Sequence, residues 1–518
     1  MSALELLAPA GSTLERAAAS VAGALTVREG PLRRMRLRFY DTFDGRLRAA
    51  GLTLCHEQDD PAAGGGRLAL LARDGGELLS AISAPPLPEP ALALELPEGE
   101  LRRRLLEVVD VRALLALAAL DARELALAAL DARQKTIARG RLLEPGSNGD
   151  GELRVPVRLV LRSLRGFEEE LEAIGPRLLQ RGFAPARRPL VDELVLAGGG
   201  SPAGTSSKVA VKLIPTQRSD AAAVAVLRRL AEVMDANLDG AAEAIDAEFL
   251  HDFRVALRRT RSVLKQLADV FPPAERERFR VALRDLQRAT AQARDLDVYV
   301  LEFDAMVALV PERWRADLRP LRELLARRRE LAHRACDREL RSERTVALRR
   351  EWGELLEALV GLAGEDRPGA ERPIGELAGE RIARVYRRMV KRGRAIGPGT
   401  PAAEYHELRK QGKELRYLLE LFGRPLYDRR LVRSLVVCLK DLQDVLGRHQ
   451  DREVQVGMLR SLAPELARAP GGPQALMATG VLIEALCEDE ARAREQFRGA
   501  FEDFAAKGMR RAVREAFC

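Results

Sequence analysis

His251, Arg254, Arg258, Arg261 and Lys265 recur at steps of three and four. On a helix of about 3.6 residues per turn, that spacing puts five basic or titratable groups on one face. Like charges so placed repel by roughly 0.2–0.5 kcal/mol per pair on an isolated helix. A surface made only to be solvated would mix signs. The chemistry open to such a row is to hold an anion. One residue out of phase, Phe253, Leu257, Thr260, Leu264 and Leu267 make an apolar stripe, which predicts that the same helix packs into a helical core.

A second copy of the device follows 155 positions on. His406, Arg409, Lys413 and Arg416 fall on His251, Arg254, Arg258 and Arg261, while Leu408, Gly412, Leu415, Leu419 and Phe422 continue the apolar stripe. The last basic position differs, Glu420 standing where the first copy has Lys265. LRDLQRATAQARDLDVYV from Leu283 answers LKDLQDVLGRHQDREVQV from Leu439 at an offset of 156. Leu227, Leu230 and Met234 match Ile382, Val385 and Met389. An internal duplication of about 150 residues organises this part of the chain.

The segments DAEFLHDFRVALRRTRS (Asp246–Ser262), EYHELRKQGKELRYLLELF (Glu404–Phe422) and LKDLQDVLGRHQD (Leu439–Asp451) resemble the signature helices of the CHAD family, the conserved-histidine α-helical domain. The resemblance runs from about Lys208 to the C-terminus. It implies an all-α domain of two pseudo-symmetric four-helix bundles that binds inorganic polyphosphate in a basic groove and is associated with polyphosphate granules. Such a polymer offers no base or sugar to read, so recognition needs repeated cations, and planar guanidinium groups can each hold two phosphate oxygens. The expected polyphosphate-binding residues are His251, Arg254, Arg258, Arg261 and Lys265 with His406, Arg409, Lys413 and Arg416. For the two histidines, a phosphate contact that gains a proton near about pH 6.5 and a structural bond to backbone or carboxylate are equal readings. Asp285, Asp295, Asp441 and Asp451 sit at matched places in the second motif and are expected to orient arginines or cap helices rather than hold a metal. His333, inside the basic run Arg327–Arg334, and His449 receive no role.

The first 200 residues read differently. Arg34, Arg36 and Arg38 alternate with Met35, Leu37 and Phe39, a strand pattern with one basic face. Arg67–Leu71 is a further strand candidate after a turn at Gly64–Gly66. Leu101–Leu120 reads as a helix, and LALAALDAR occurs twice, at 115–123 and 125–133, as a local duplication. Leu153–Leu164 alternates, with Arg154, Arg158 and Arg162 on one side, and Phe167–Arg181 is helical in period. Mixed strands and helices indicate an α+β domain. RLRFYDTFDGRLRAAGLTL (Arg36–Leu54) is similar to a segment of the CYTH, or triphosphate tunnel, superfamily. That resemblance implies a CYTH-like antiparallel barrel whose interior holds a triphosphate on basic groups and a divalent metal on acidic ones. The hallmark ExExK meets Ala3–Leu7 here, where Glu5 alone remains, and the later strand offers Arg158, Val160 and Arg162 in place of acids. A metal for phosphoryl transfer needs carboxylate oxygens, so no catalytic residue, metal or cofactor is expected in this domain.

The Gly/Ser/Pro-rich stretch AGGGSPAGTSS marks a linker at 197–207, between a domain at 1–196 and a helical domain at 208–518. The repeats are expected at about 208–360 and 376–510, with prolines at the helix breaks. A net charge of +8 and a pI near 9.4 permit an anionic partner. The five cysteines are scattered without a CxxC pair, so neither a disulfide framework nor a zinc site is expected and a cytoplasmic location fits. MSALELLAPAG lacks the basic start and apolar core of a signal peptide, and no apolar run is long enough to span a bilayer. The favoured reading is a non-catalytic polyphosphate-binding protein. The alternatives are a metal-dependent triphosphatase in the first domain and, less favoured, a nucleic-acid binder, for which 4% aromatic content offers little base stacking.

Overall fold

The computed structural model describes residues 3–59, 65–73, 76–146, 155–397 and 399–517. Gly64, Leu153, Arg154 and Cys518, which the reading above touched on, lie outside the described residues. The chain divides into two compact units, Met1–Ser206 and Ser207–Cys518.

The first unit holds, in order, β1 (Ala3–Leu7), α1 (Leu14–Ala24), β2 (Val27–Thr42), α2 (Arg46–Ala49), β3 (Leu52–Gln58), β4 (Arg67–Ala72), β5 (Leu78–Ser83), β6 (Ala91–Leu92), α3 (Glu100–Val109), β7 (Ala113–Leu130), β8 (Thr136–Pro145), β9 (Arg158–Ser163), α4 (Glu168–Leu179), β10 (Ala184–Pro185) and α5 (Leu190–Ala197). The ten strands among its described residues form one antiparallel sheet in the order β10-β1-β9-β8-β7-β2-β3-β4-β5, with β6 on β7. The sheet class is the one expected, and among the described residues the ladder runs from β10 to β5 with two ends. Strand alternation sorts the side chains onto two faces. Leu125, Leu127, Leu159 and Leu161 pack with α1 and α4, and Tyr40, Leu54 and Leu70 pack with α3. The other face carries Met35, Leu37, Phe39, Cys55 and Leu143, covered by Val191, Leu194 and Val195 of α5.

Leu101–Leu120 is not one helix. α3 ends at Val109, and Ala113 opens β7, which contains both copies of the nonapeptide up to Leu130. Alanine and leucine favour helix locally. Here β7 pairs with β2 on one side and β8 on the other, and ladder bonds on both edges outweigh a propensity of a few tenths of a kcal/mol per residue.

The second unit contains α6 (Ser219–Ala242), α7 (Ala247–Gln266), α8 (Pro273–Ala289), α9 (Ala291–Leu301), α10 (Phe303–Ala308), α11 (Glu312–Arg315), α12 (Arg319–Leu340), α13 (Glu343–Ala358), α14 (Ile374–Ala395), α15 (Ala402–Leu418), α16 (Arg424–Leu426), α17 (Arg429–Leu466), α18 (Gly472–Phe504) and α19 (Lys507–Phe517). A single π turn, Leu419–Gly423, follows α15. The duplication is visible in the helix starts: α6 and α14, α7 and α15, and α8 and α17 begin 155, 155 and 156 residues apart. α6, α7, α8–α9 and α12 pack as one set, and α14, α15, α17 and α18 as the other. One difference breaks the symmetry, because Thr290 separates α8 from α9 whereas α17 runs through. Asp246 caps α7 by accepting from the amides of Glu248 and Phe249 at 2.8 and 3.1 Å. The predicted apolar stripes are the cores: Phe253, Leu257, Leu264, Leu408, Leu415 and Phe422 are all buried, each worth about 1.5–3 kcal/mol.

α5 is held on its face of the first sheet by Arg158, which is 1% exposed. Its guanidinium donates to Glu5 of β1, to Glu193 of α5 at 2.6 Å and to the Arg188 carbonyl at 3.0 Å. Arg158→Ala leaves Glu5 and Glu193 without that partner, a loss of about 3–5 kcal/mol for a buried pair. Both tryptophans, Trp314 and Trp352, belong to the second unit, so the readout is amide hydrogen exchange of Leu194–Ala197. Faster exchange there is expected, and unchanged protection would mean that α5 is held by its apolar side chains alone.

Candidate anion-binding site

The two basic stripes lie on α7 and α15, helices in direct contact. Their members differ in what they touch. Arg254 is 8% exposed and donates to the Gln287 carbonyl at 2.6 Å and to Thr290 Oγ1 at 2.7 Å. It ties α7 to the end of α8 and is the least accessible member of the row. Arg258 and Arg261 are half-buried: Arg258 donates to the Tyr417 hydroxyl at 3.0 Å, and Arg261 to Gln287 Oε1 at 2.5 Å. Both partners are neutral, so these guanidinium groups keep their charge uncancelled by them. Lys265 is exposed and bonds Glu414. In the second stripe, Arg409 donates to Asp451 at 2.9 Å, Arg416 to Glu420 at 2.8 Å, and His406 from Nδ1 to Gln450 Oε1 at 2.5 Å. His251 is half-buried on α7.

The fields of these groups overlap across the seam. Burial, then Arg409 and Arg258, push the Lys413 ammonium down to about 8, with Asp451 opposing. Arg254 falls to about 10, first by burial, with Asp295 holding it up and Arg258 adding to the fall. Arg261 is lowered by burial and then by Arg284, Arg280 and Arg258. The fold thus strings together four cations, Arg254, Arg258, Lys413 and Arg409, each repelled by the next and partly out of water, at a cost that a bound anion would relieve.

Carboxylates flank this cluster. Glu414 takes Lys265 and Gln266 of α7 and Arg388 of α14; Glu420, in the π turn after α15, takes Arg259 of α7 and Arg416 of α15. Neither glutamate was given these partners from the sequence, because their α7 partners lie some 150 residues away. Of the four aspartates, Asp451 and Asp285 bond arginines (Arg409 and Arg284), and Asp295 acts on Arg254 and Arg294 through its charge. None of the four caps a helix in the structure, the capping side chains belonging to other residues. Two histidines without a sequence role are packed internally. His333 donates to Asp297 at 2.8 Å, beside Arg329, and His449 stacks on Tyr405 with ring centroids 4.7 Å apart.

The first unit collects charges of both signs on the face that α5 covers. Arg141 of β8 reaches Glu124 of β7 at 2.8 Å and Glu57 of β3 at 3.5 Å. β8 and β3 are three places apart in the sheet, about 14 Å if flat, so the sheet curls about this face. Glu5, Glu57 and Glu124 are each bonded by an arginine, and no group of three or more potential ligands for a metal occurs among the described residues. In each of these glutamates at least one carboxylate oxygen faces a guanidinium group. No helix among the described residues is long and apolar enough to cross a membrane.

The Lys413 environment is directly measurable. The chain has nine lysines, so a carbon-13 lysine titration can be assigned with Lys413→Arg. A midpoint near 8 is expected for Lys413; an ordinary value of 10.5 would mean that its neighbours do not crowd it.

Residues 225–460 match the family model of the CHAD domain. Uncharacterised proteins from two strains of Mycobacterium tuberculosis, CDC 1551 and H37Rv, are each 29% identical over 350 residues, 63% of this chain. The chain spans 63% of the length of those relatives. Among solved structures, the CHAD domain of the plant Ricinus communis is 24% identical, covers 57% of this chain and 96% of its own, and has a TM-score of 0.48. PptA from Streptomyces chartreusis is 18% identical over 55% of this chain and 100% of its own, with a TM-score of 0.43. The helical unit of this protein carries a CHAD domain, by the match of residues 225–460 that spans both basic helices.

Proposed function

We propose that the helical unit binds inorganic polyphosphate along the seam of α7 and α15, without turning it over, and that the protein resides in the cytoplasm on polyphosphate granules. The observation that carries this reading is the group of half-buried cations Arg258, Arg261 and Lys413. Two arginines bond neutral partners, and Lys413 is held near 8 by burial and then by the charges of Arg409 and Arg258. A flexible polyanion can meet all three at once, and each charge-assisted bond is worth about 1.5–3 kcal/mol. Arg409, Arg416, Lys265 and the two histidines border that centre and complete the contact surface, while Arg254 holds α8 in register beneath it.

A competition titration tests the reading. Labelled long-chain polyphosphate is bound to the protein at about 150 mM salt and challenged with duplex DNA, RNA, ATP and unlabelled polyphosphate. Displacement by polyphosphate alone is the expected outcome; equal displacement by nucleic acid would reduce the seam to a generic cationic surface. Arg258→Gln with Lys413→Met should weaken binding by about 100-fold or more with the helical circular dichroism intact. Unchanged affinity would place the site elsewhere. Charge reversal at Arg254 is a poor test, because its burial makes folding the first casualty.

The competing reading, a metal-dependent triphosphatase in the first unit, meets the arginine-bonded carboxylates described above. Purified protein with Mg2+ or Mn2+ is expected to release no phosphate from tripolyphosphate. Saturable turnover that Glu5→Ala abolishes would overturn this assignment.

A further inference from the structure

Arg276, Arg280 and Arg284 recur every four residues along α8, and Gln287 follows three later, so the four share one face. Gln287 fixes the direction of that face. Its side-chain oxygen accepts from Arg261 at 2.5 Å and its carbonyl from Arg254 at 2.6 Å, both on α7. Arg280 and Arg284 therefore stand on the flank bordering the first basic stripe, and their charges act on Arg261. Arg276 turns back to the Ala268 carbonyl at 3.0 Å, which ends the row. Arg280 and Arg284 are paired to Glu277 and Asp285, neighbours on their own helix, all of them solvent-accessible. Such pairs are weak in water and yield to a denser anion.

The second repeat does not reproduce this row. With the offset of 156, Arg280 and Arg284 meet Val436 and Lys440 on α17. Arg416, the counterpart of Arg261, is bonded to a carboxylate, Glu420, where Arg261 bonds an amide. Glu420 itself replaces Lys265.

Resting on the polyphosphate reading above, we propose that the two pseudo-symmetric half-sites are unequal: Arg280 and Arg284 prolong the anion track beyond the first stripe, and the first repeat is the end that grips the chain. The extension adds two donors about 6 Å apart along α8, a different helix from those that carry Arg258 and Lys413. Long chains gain from it and tripolyphosphate does not.

The test compares two charge-matched variants of the full chain, Arg280→Gln with Arg284→Gln on α8, and Arg433→Gln with Lys440→Gln on the matching stretch of α17, titrated with long-chain polyphosphate and tripolyphosphate over a salt series. The first variant should weaken long-chain binding by about tenfold or more, lower the salt slope by about 2, and leave tripolyphosphate affinity unchanged. The second should cost less than about threefold. Equal losses in the two variants would make the halves equivalent, and no loss in the first would end the track at Arg261; either result overturns the extension while leaving the polyphosphate reading in place. An unaltered protein that fails to bind long-chain polyphosphate overturns both.

Discussion

The helical unit depends on keeping two cationic helices in contact. α7 and α15 must bring their apolar stripes into the core, and doing so forces their basic stripes together along the seam. Glu414 and Glu420 make this tolerable. Glu414 comes from α15 and Glu420 from the π turn that follows it, and they bond Lys265 and Arg259 across to α7 while also taking Arg388 and Arg416. Their bonds go to residues other than Arg258 and Lys413, so they join the helices without pairing with those two cations. Those two cations remain charged against each other in a setting where desolvation already works against them.

The same residue types serve a different end in the first unit. There, arginines and glutamates are bonded directly to one another: Arg158 with Glu5 and Glu193, Arg141 with Glu124 and Glu57. Partly or fully buried pairs of this kind fix strands and α5 in place, and their breakage costs more than their formation yields. The charges named on that face are paired with one another, whereas on the seam of the second unit Arg258 and Arg261 bond neutral groups.

Much of the helical unit was legible because a duplication states each element twice. The stripes, the matched LRDLQ and LKDLQ motifs and the helix starts agree at offsets of 155 and 156. The first unit was legible where strands alternate strictly, as at Arg34–Phe39, and misleading at Leu101–Leu120, where alanine and leucine satisfy either period and the decision falls to strands distant in sequence. In the candidate site, the identity of the cations could be read from spacing, but their accessibility could not. Arg254 and Arg258 are one turn apart on the same helix, yet the former is buried against the end of α8 and faces groups of α9 and α12.

By itself, then, the sequence determined which residues share a helix face, because a period of about 3.6 follows from backbone geometry alone, and it determined that the device is doubled. Only the tertiary structure decided which of those cations find carboxylates, which bond neutral groups and which are buried. Those outcomes depend on side chains that meet across some 150 residues: Arg258 with Tyr417, Arg259 with Glu420, Lys265 with Glu414. Local spacing carries no record of them. Pairing and desolvation are properties of the packed interior, where the effective dielectric and the distance between charges are set by the fold.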